Sequence, residues 1–176
     1  MPEAEVSLRL AIDLLSCRSA VDRVSVAIDG AQVRTGETIH FDICHFLPGL
    51  GWESALDGRW QAEYRHPLIN GVIEIHSQSG KGDVVATLPG GILFVAEAKK
   101  GPLTRSKSSS EYSLLREALG QLLTIEELPE NAALAVAVPH SEKFAELAGR
   151  WRQAPLVCRS GIRILTVAQV GSIFGW

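Results

Sequence analysis

The 176-residue chain is long enough for one domain whose core needs neither disulfides nor a structural metal. Its 46% hydrophobic and 21% charged residues exclude a disordered tail. A net charge of -3 excludes a protein that coats nucleic acid through charge alone, although it leaves room for a local basic groove.

The chain opens Met1-Pro2-Glu3-Ala4-Glu5, acidic where a signal peptide needs base. Leu8, Ala11, Ile12 and Leu15 recur at helical spacing and predict a helix over residues 3–16. Residues 21–47 read as strands: Val24 to Ile28 alternate, Asp29-Gly30 signals a turn, and 39–47 continue the pattern. Residues 48–70 carry no clear pattern. Strands are then predicted over 72–77, 83–88 and 92–99, and a helix over 111–128 that Pro129 helps to end. An apolar run, 132–138, has the composition of a buried strand. A helix over 141–151 and a strand over 162–170 complete an α/β pattern, with crossover helices on a mixed sheet.

No apolar run approaches the ~20 residues of a membrane span. Cys17, Cys44 and Cys158 form no CxxC pair and suit a reducing compartment, so the chain reads as cytoplasmic. Its apolar content is compatible with a homodimer contact.

The informative segment is Asp83-Val84-Val85-Ala86-Thr87-Leu88, then Pro89-Gly90-Gly91, then Ile92 through Lys99. A three-residue loop sets Leu88 opposite Ile92, with Gly91 supplying the positive φ such loops want. Counting back, Asp83 falls opposite Glu97 on the same face, and Lys99, two residues on, points the same way. Two carboxylates held that close among apolar neighbours repel unless a cation joins them. A hard ion such as Mg²⁺ or Mn²⁺ takes one or two carboxylates, a carbonyl and waters, and the Ala98 carbonyl is a candidate ligand. Lys99 would then orient or help deprotonate an attacking water. The competing explanation is a surface ladder of ion pairs.

These residues resemble the signature of the PD-(D/E)XK nuclease superfamily, with Gly82 standing where the signature has proline. The segment Leu115-Arg116-Glu117-Ala118-Leu119-Gly120-Gln121-Leu122-Leu123 is similar to the glutamine-bearing helix of its RecB-, resolvase- and Mrr-like branches. Ile125 stands where a tyrosine often follows. The resemblance covers roughly residues 71–138. It implies a single nuclease-like domain over 1–176, with a core at about 71–170 and an elaboration at 19–70. It also implies a restriction-endonuclease-like mixed central β-sheet flanked by helices. The implied activity is Mg²⁺- or Mn²⁺-dependent hydrolysis of phosphodiester bonds, by an endonuclease acting on DNA in preference to RNA. Asp83, Glu97 and Ala98 would hold the metal, Lys99 would serve the water, and Gln121 would support them.

Leu114, Ala118 and Ile125 place Gln121 on an apolar stripe, which predicts a buried amide facing the site. Gly120 beside it predicts close approach of helix to sheet. The resemblance also implies a further acid, for which Glu3, Glu5 and Glu74 are candidates, each with a solvated surface glutamate as the favoured alternative. Lys100, Arg105 and Lys107 follow the site in an acid-free loop, as phosphate-backbone contacts would. A catalytically silent nuclease-like domain, binding nucleic acid or a protein partner, is the rival reading. An intact Asp, Glu and Lys set speaks against it.

Overall fold

The protein is described by a computed structural model covering residues 1–18, 20–56, 58–104 and 110–176. In chain order it contains α1 (Glu3–Ser16), β1 (Arg23–Ala27), α2 (Gly30–Val33), β2 (Arg34–Thr35), β3 (Thr38–Ile39), α3 (Ile43–Phe46), β4 (Glu53–Ser54), β5 (Glu63–His66) and β6 (Ile69–His76). Then follow β7 (Val84–Leu88), β8 (Ile92–Ala98), α4 (Glu111–Leu123), β9 (Ala133–Pro139), α5 (Glu142–Arg152), α6 (Pro155–Ser160), β10 (Arg163–Val167) and β11 (Ile173–Phe174).

Among the described residues, nine strands form one mixed sheet in the order β11-β10-β9-β8-β7-β1-β6-β5-β4. The crossovers through α4 and α5 bring β8, β9 and β10 together in parallel, as expected for strand–helix–strand units. The hairpin β7–β8 lies at the centre, with β1 antiparallel to β7 and parallel to β6.

Alternation along β8 assigns its two faces. Phe94, Ala96 and Ala98 pack in the layer under α1, with Leu8, Leu10 and Leu14 of that helix. Val95 points the other way, into a second layer with Leu115, Ala118 and Leu122 of α4 and Phe144 and Leu147 of α5. Small side chains on the first face (Ala86, Ala96, Ala135, Ala137) let α1 lie close across several strands. Each fully buried leucine or phenylalanine in these layers contributes roughly 1.5–3 kcal/mol. Glu97 and Lys99 continue the row of Val95, so they emerge beneath α4.

The amino-terminal third is part of the sheet and not an appendage, because β1 sits between β6 and β7 and α1 roofs one face. The expected run of strands over 21–47 is corrected in part: beyond Ala27 only the short pair β2–β3 is strand, and α2 and α3 flank it. Asp29 caps α2 by accepting the Ala31 amide at 2.9 Å, and Asp42 caps α3 by accepting that of His45 at 3.0 Å. The helix predicted over 111–128 ends at Leu123. There the Thr124 hydroxyl and amide both donate to the Gln121 carbonyl, at 2.8 and 3.1 Å, and close the last turn. The last predicted strand stops at Val167, and Pro155 starts a short helix that periodicity did not announce. No helix among the described residues is long and apolar enough to cross a membrane.

Candidate metal and active site

The hairpin has the register expected from its turn. Leu88 pairs with Ile92 and each step back holds to Val84 with Ala96, so the next residues, Asp83 and Glu97, face each other past the last pair. Gly90 and Gly91 both have positive φ, 83° and 74°, which this loop requires and a β-branched residue would resist.

Asp83 is anchored on both sides. Its carbonyl accepts the Ala27 amide of β1 at 2.9 Å, and its side-chain Oδ2 accepts the Ala98 amide at 2.8 Å. Gly82 explains why no larger residue precedes it. A Cβ there would stand 2.7 Å from Val95 Cγ1 and 3.0 Å from the Ala96 carbonyl oxygen.

The Asp83 and Glu97 carboxyls are neighbours, and each acts on the ionisation of the other. Burial pushes the Asp83 carboxyl up, although the Ala98 amide pulls the other way. Glu97 is pushed up to about 8, first by burial and then by the charge of Asp83. Near neutral pH the Glu97 carboxyl therefore holds a proton.

Lys99 is 6% exposed. Its charge favours ionisation of both acids, yet its Nζ pairs with Glu117 Oε1 of α4 at 3.2 Å. The Lys99 amide donates to the Ala137 carbonyl of β9 at 2.9 Å, while the Ala98 amide points to the β7 side. In a strand a residue's C=O leaves on the same edge as its N–H, so the Ala98 carbonyl faces the Asp83 side.

Of the three further acids considered, Glu3 is the one brought to the site. It begins α1, and its charge raises the pKa of both Asp83 and Glu97. Its Oε2 accepts the Lys100 amide at 3.3 Å and its Oε1 accepts from Gln32 Nε2 at 2.7 Å. Glu5 instead pairs with Arg9 at 2.9 Å, and Glu74 with Arg23 at 2.9 Å on the sheet.

A cavity of about 420 Å³ opens on the pair, lined by Asp83, Glu97, Gln121, Asp29, Gln32 and Gly82 among others. A second, of about 460 Å³, shares Glu97 and Gln121 and continues past Thr124 to Glu127. A third, of about 510 Å³, lies beyond Gln32 against Glu3, His40 and Lys100.

Gln121 thus stands on the site's side of α4, but the expectation that it is buried is corrected: it is exposed. The buried stripe is Leu115, Ala118 and Leu122, one residue out of phase with the expected one, and Ile125 lies beyond the helix end. Gly120 likewise has open space and no close approach to the sheet. Lys100 is exposed and lines the third cavity, while Arg105 and Lys107 lie outside the described residues. The tryptophans serve packing: Trp52 is buried against His66, and Trp151 meets Tyr112 edge-on. Sequence reasoning missed Gln32 and Glu117. The one available signal was that Glu117 lies one helical turn before Gln121.

Among the described residues no three His, Cys, Asp or Glu side chains converge as a ready metal cage. The donor set here is two carboxylates and a carbonyl, all hard oxygens. That fits an ion such as Mg²⁺, which is bound through one or two carboxylates and keeps several waters. No family model, curated protein or solved structure matches the chain.

Proposed function

We propose that this chain is a divalent-cation-dependent nuclease of the PD-(D/E)XK type, cleaving phosphodiester bonds of nucleic acid, DNA in preference to RNA. The observation that carries the reading is the placement of Asp83 and Glu97. They are neighbouring carboxyls, Asp83 partly buried and Glu97 buried, open to a cavity, with a buried lysine two residues beyond Glu97. Packing alone gives no reason to hold like charges so close, and a cation does. The mixed sheet with helices on both faces and this hairpin at its centre also supports a restriction-endonuclease-like fold.

Asp83, Glu97 and the Ala98 carbonyl would hold Mg²⁺ or Mn²⁺. Such an ion supplies Lewis-acid stabilisation of charge on the phosphate and a more acidic water. Asp83, fixed by the Ala98 amide, would set the position of that centre, and Glu97 would have to give up its proton to serve as a ligand. Lys99 orients the attacking water. That water would add to phosphorus as the ester P–O bond breaks, the proton it loses passing through solvent to the departing oxygen. The exposed amide of Gln121 hydrogen-bonds groups entering the cavity. Lys100, exposed at the third cavity, would meet the phosphate backbone, and the basic residues Arg105 and Lys107 that follow in the sequence would add further contacts.

The test is single-turnover cleavage of single-stranded, duplex and branched DNA and of RNA, with Mg²⁺ and with Mn²⁺. At least one substrate is expected to be cut by the parental protein and not by Glu97→Ala. Equal cleavage by both proteins removes the assignment. Nucleic-acid binding without any cleavage favours the catalytically silent domain.

A further inference from the structure

We infer that Glu117 is a positioning residue that keeps the cation site open by holding the Lys99 ammonium away from Asp83 and Glu97. The inference rests on the metal-site reading above and assigns a role to a residue that reading does not use.

The Lys99 side chain is 8% exposed, so its ammonium is largely cut off from water and requires a partner. Two acidic groups sit beside it on its own hairpin, and its charge acts on both. Among the described residues, however, no ion pair joins Lys99 to either of them. Its Nζ meets Glu117 Oε1 at 3.2 Å, on the neighbouring helix. That helix is fixed to the sheet by Leu115, Ala118 and Leu122, so Glu117 is carried on a rigid element. Its own side chain is 59% exposed and buries nothing essential to the core.

With Glu117 removed, the acids left to attract the buried ammonium are Asp83 and Glu97 on its own hairpin, on both of which its charge already acts. Lysine is a flexible point charge that can swing across that distance. Once paired there, it occupies the oxygens that a divalent ion needs, and the ion must displace it. A charge-assisted hydrogen bond is the competitor to be broken. In the parental protein Glu117 satisfies Lys99 in advance, leaving the two carboxyls facing the cavity and Lys99 beside it for the water.

Titrating the full chain with Mn²⁺ alone, by calorimetry, tests this without any cleavage. Glu117→Ala is expected to raise Kd by about tenfold, and Glu117→Gln, which loses the charge but keeps an acceptor, by less. Lys99→Ala/Glu117→Ala is expected to bind as Lys99→Ala does, because the defect acts through the lysine. Unchanged affinity in Glu117→Ala overturns the inference. So does a loss that persists undiminished in the double variant. Failure of the parental protein to bind Mn²⁺ is a different result and removes the metal site itself. Since Glu117 is largely exposed, the single variants should melt near the parental temperature.

Discussion

Asp83 Oδ2 accepts the Ala98 amide at 2.8 Å, so the acid that precedes one strand closes the end of the next. The bond fixes one carboxyl oxygen against β8 while Glu97, one residue before Ala98, carries the partner acid on the same strand. Any tilt of the hairpin therefore moves both acids together. The proton that Glu97 holds at neutral pH follows first from its burial and then from the charge of Asp83 beside it.

That proton makes stability depend on pH in a definite direction. The carboxyl of Glu97 moves from an ordinary value of 4.5 in the unfolded chain to about 8 in the folded one. The folded state binds more protons in that window, so its stability is full below about 4.5 and falls as pH rises toward 8. In chelator, chemical denaturation should show a loss of up to a few kcal/mol across this range. Glu97→Gln should remove most of that slope. Parallel profiles for the two proteins would show that Glu97 is not the group responsible.

Cation binding should release the same proton. Below pH 8 a Mg²⁺ or Mn²⁺ titration in buffers of different ionisation enthalpy should report close to one proton expelled per ion, fading as pH passes 8. Equal heats in all buffers at pH 7 would mean that the ion binds without engaging Glu97.

Gly82 gives a steric prediction. Gly82→Ala should destabilise the fold by about 1–3 kcal/mol, since its Cβ would press on Val95 and on the Ala96 carbonyl. Because Asp83 is the next residue, divalent-ion affinity should fall as well. Gly82→Pro restores the signature's residue yet should do no better, as proline carries the same Cβ. A proline variant of parental stability and affinity would contradict the crowding argument.

The hairpin was legible because its information is local: a Pro-Gly-Gly turn and two alternating strands fix a register by counting. The helix over residues 3–16 was legible from its apolar spacing for the same reason. Glu3 was only one of three candidates, because what selects it is the crossing of α1 over the sheet, a contact between residues some eighty positions apart. The phase of α4 was misjudged at Gln121, since Leu114, Leu115, Leu119, Leu122 and Ile125 admit two apolar stripes one residue apart. Only the packing against Val95 and Val136 chooses between them. Residues 29–66 gave little, as two-residue strands and four-residue helices are too short to show a period. The pairing of β1 with β6 is likewise non-local and leaves no mark in either segment alone.

The last prediction separates chemistry from binding. Glu97→Ala removes a proposed ligand, so cleavage should fall by orders of magnitude. Losing one of two facing acids also relieves repulsion, so the folded state should be no less stable, and at pH 8 more so. Lys99→Ala should slow cleavage while metal affinity stays similar or rises modestly, since a cation leaves the site's neighbourhood. Lys100, Arg105 and Lys107 should govern substrate affinity instead. Each replacement by alanine should flatten the salt dependence of duplex binding by roughly 0.9 log unit per lost phosphate contact. Binding is measured in Ca²⁺, with single-turnover cleavage in Mg²⁺ alongside. A protein in which Lys100→Ala abolishes cleavage at saturating substrate, while Glu97→Ala only weakens binding, would reverse these roles. The centre of the chemistry would then have to be sought on the Glu3–His40 side of Gln32.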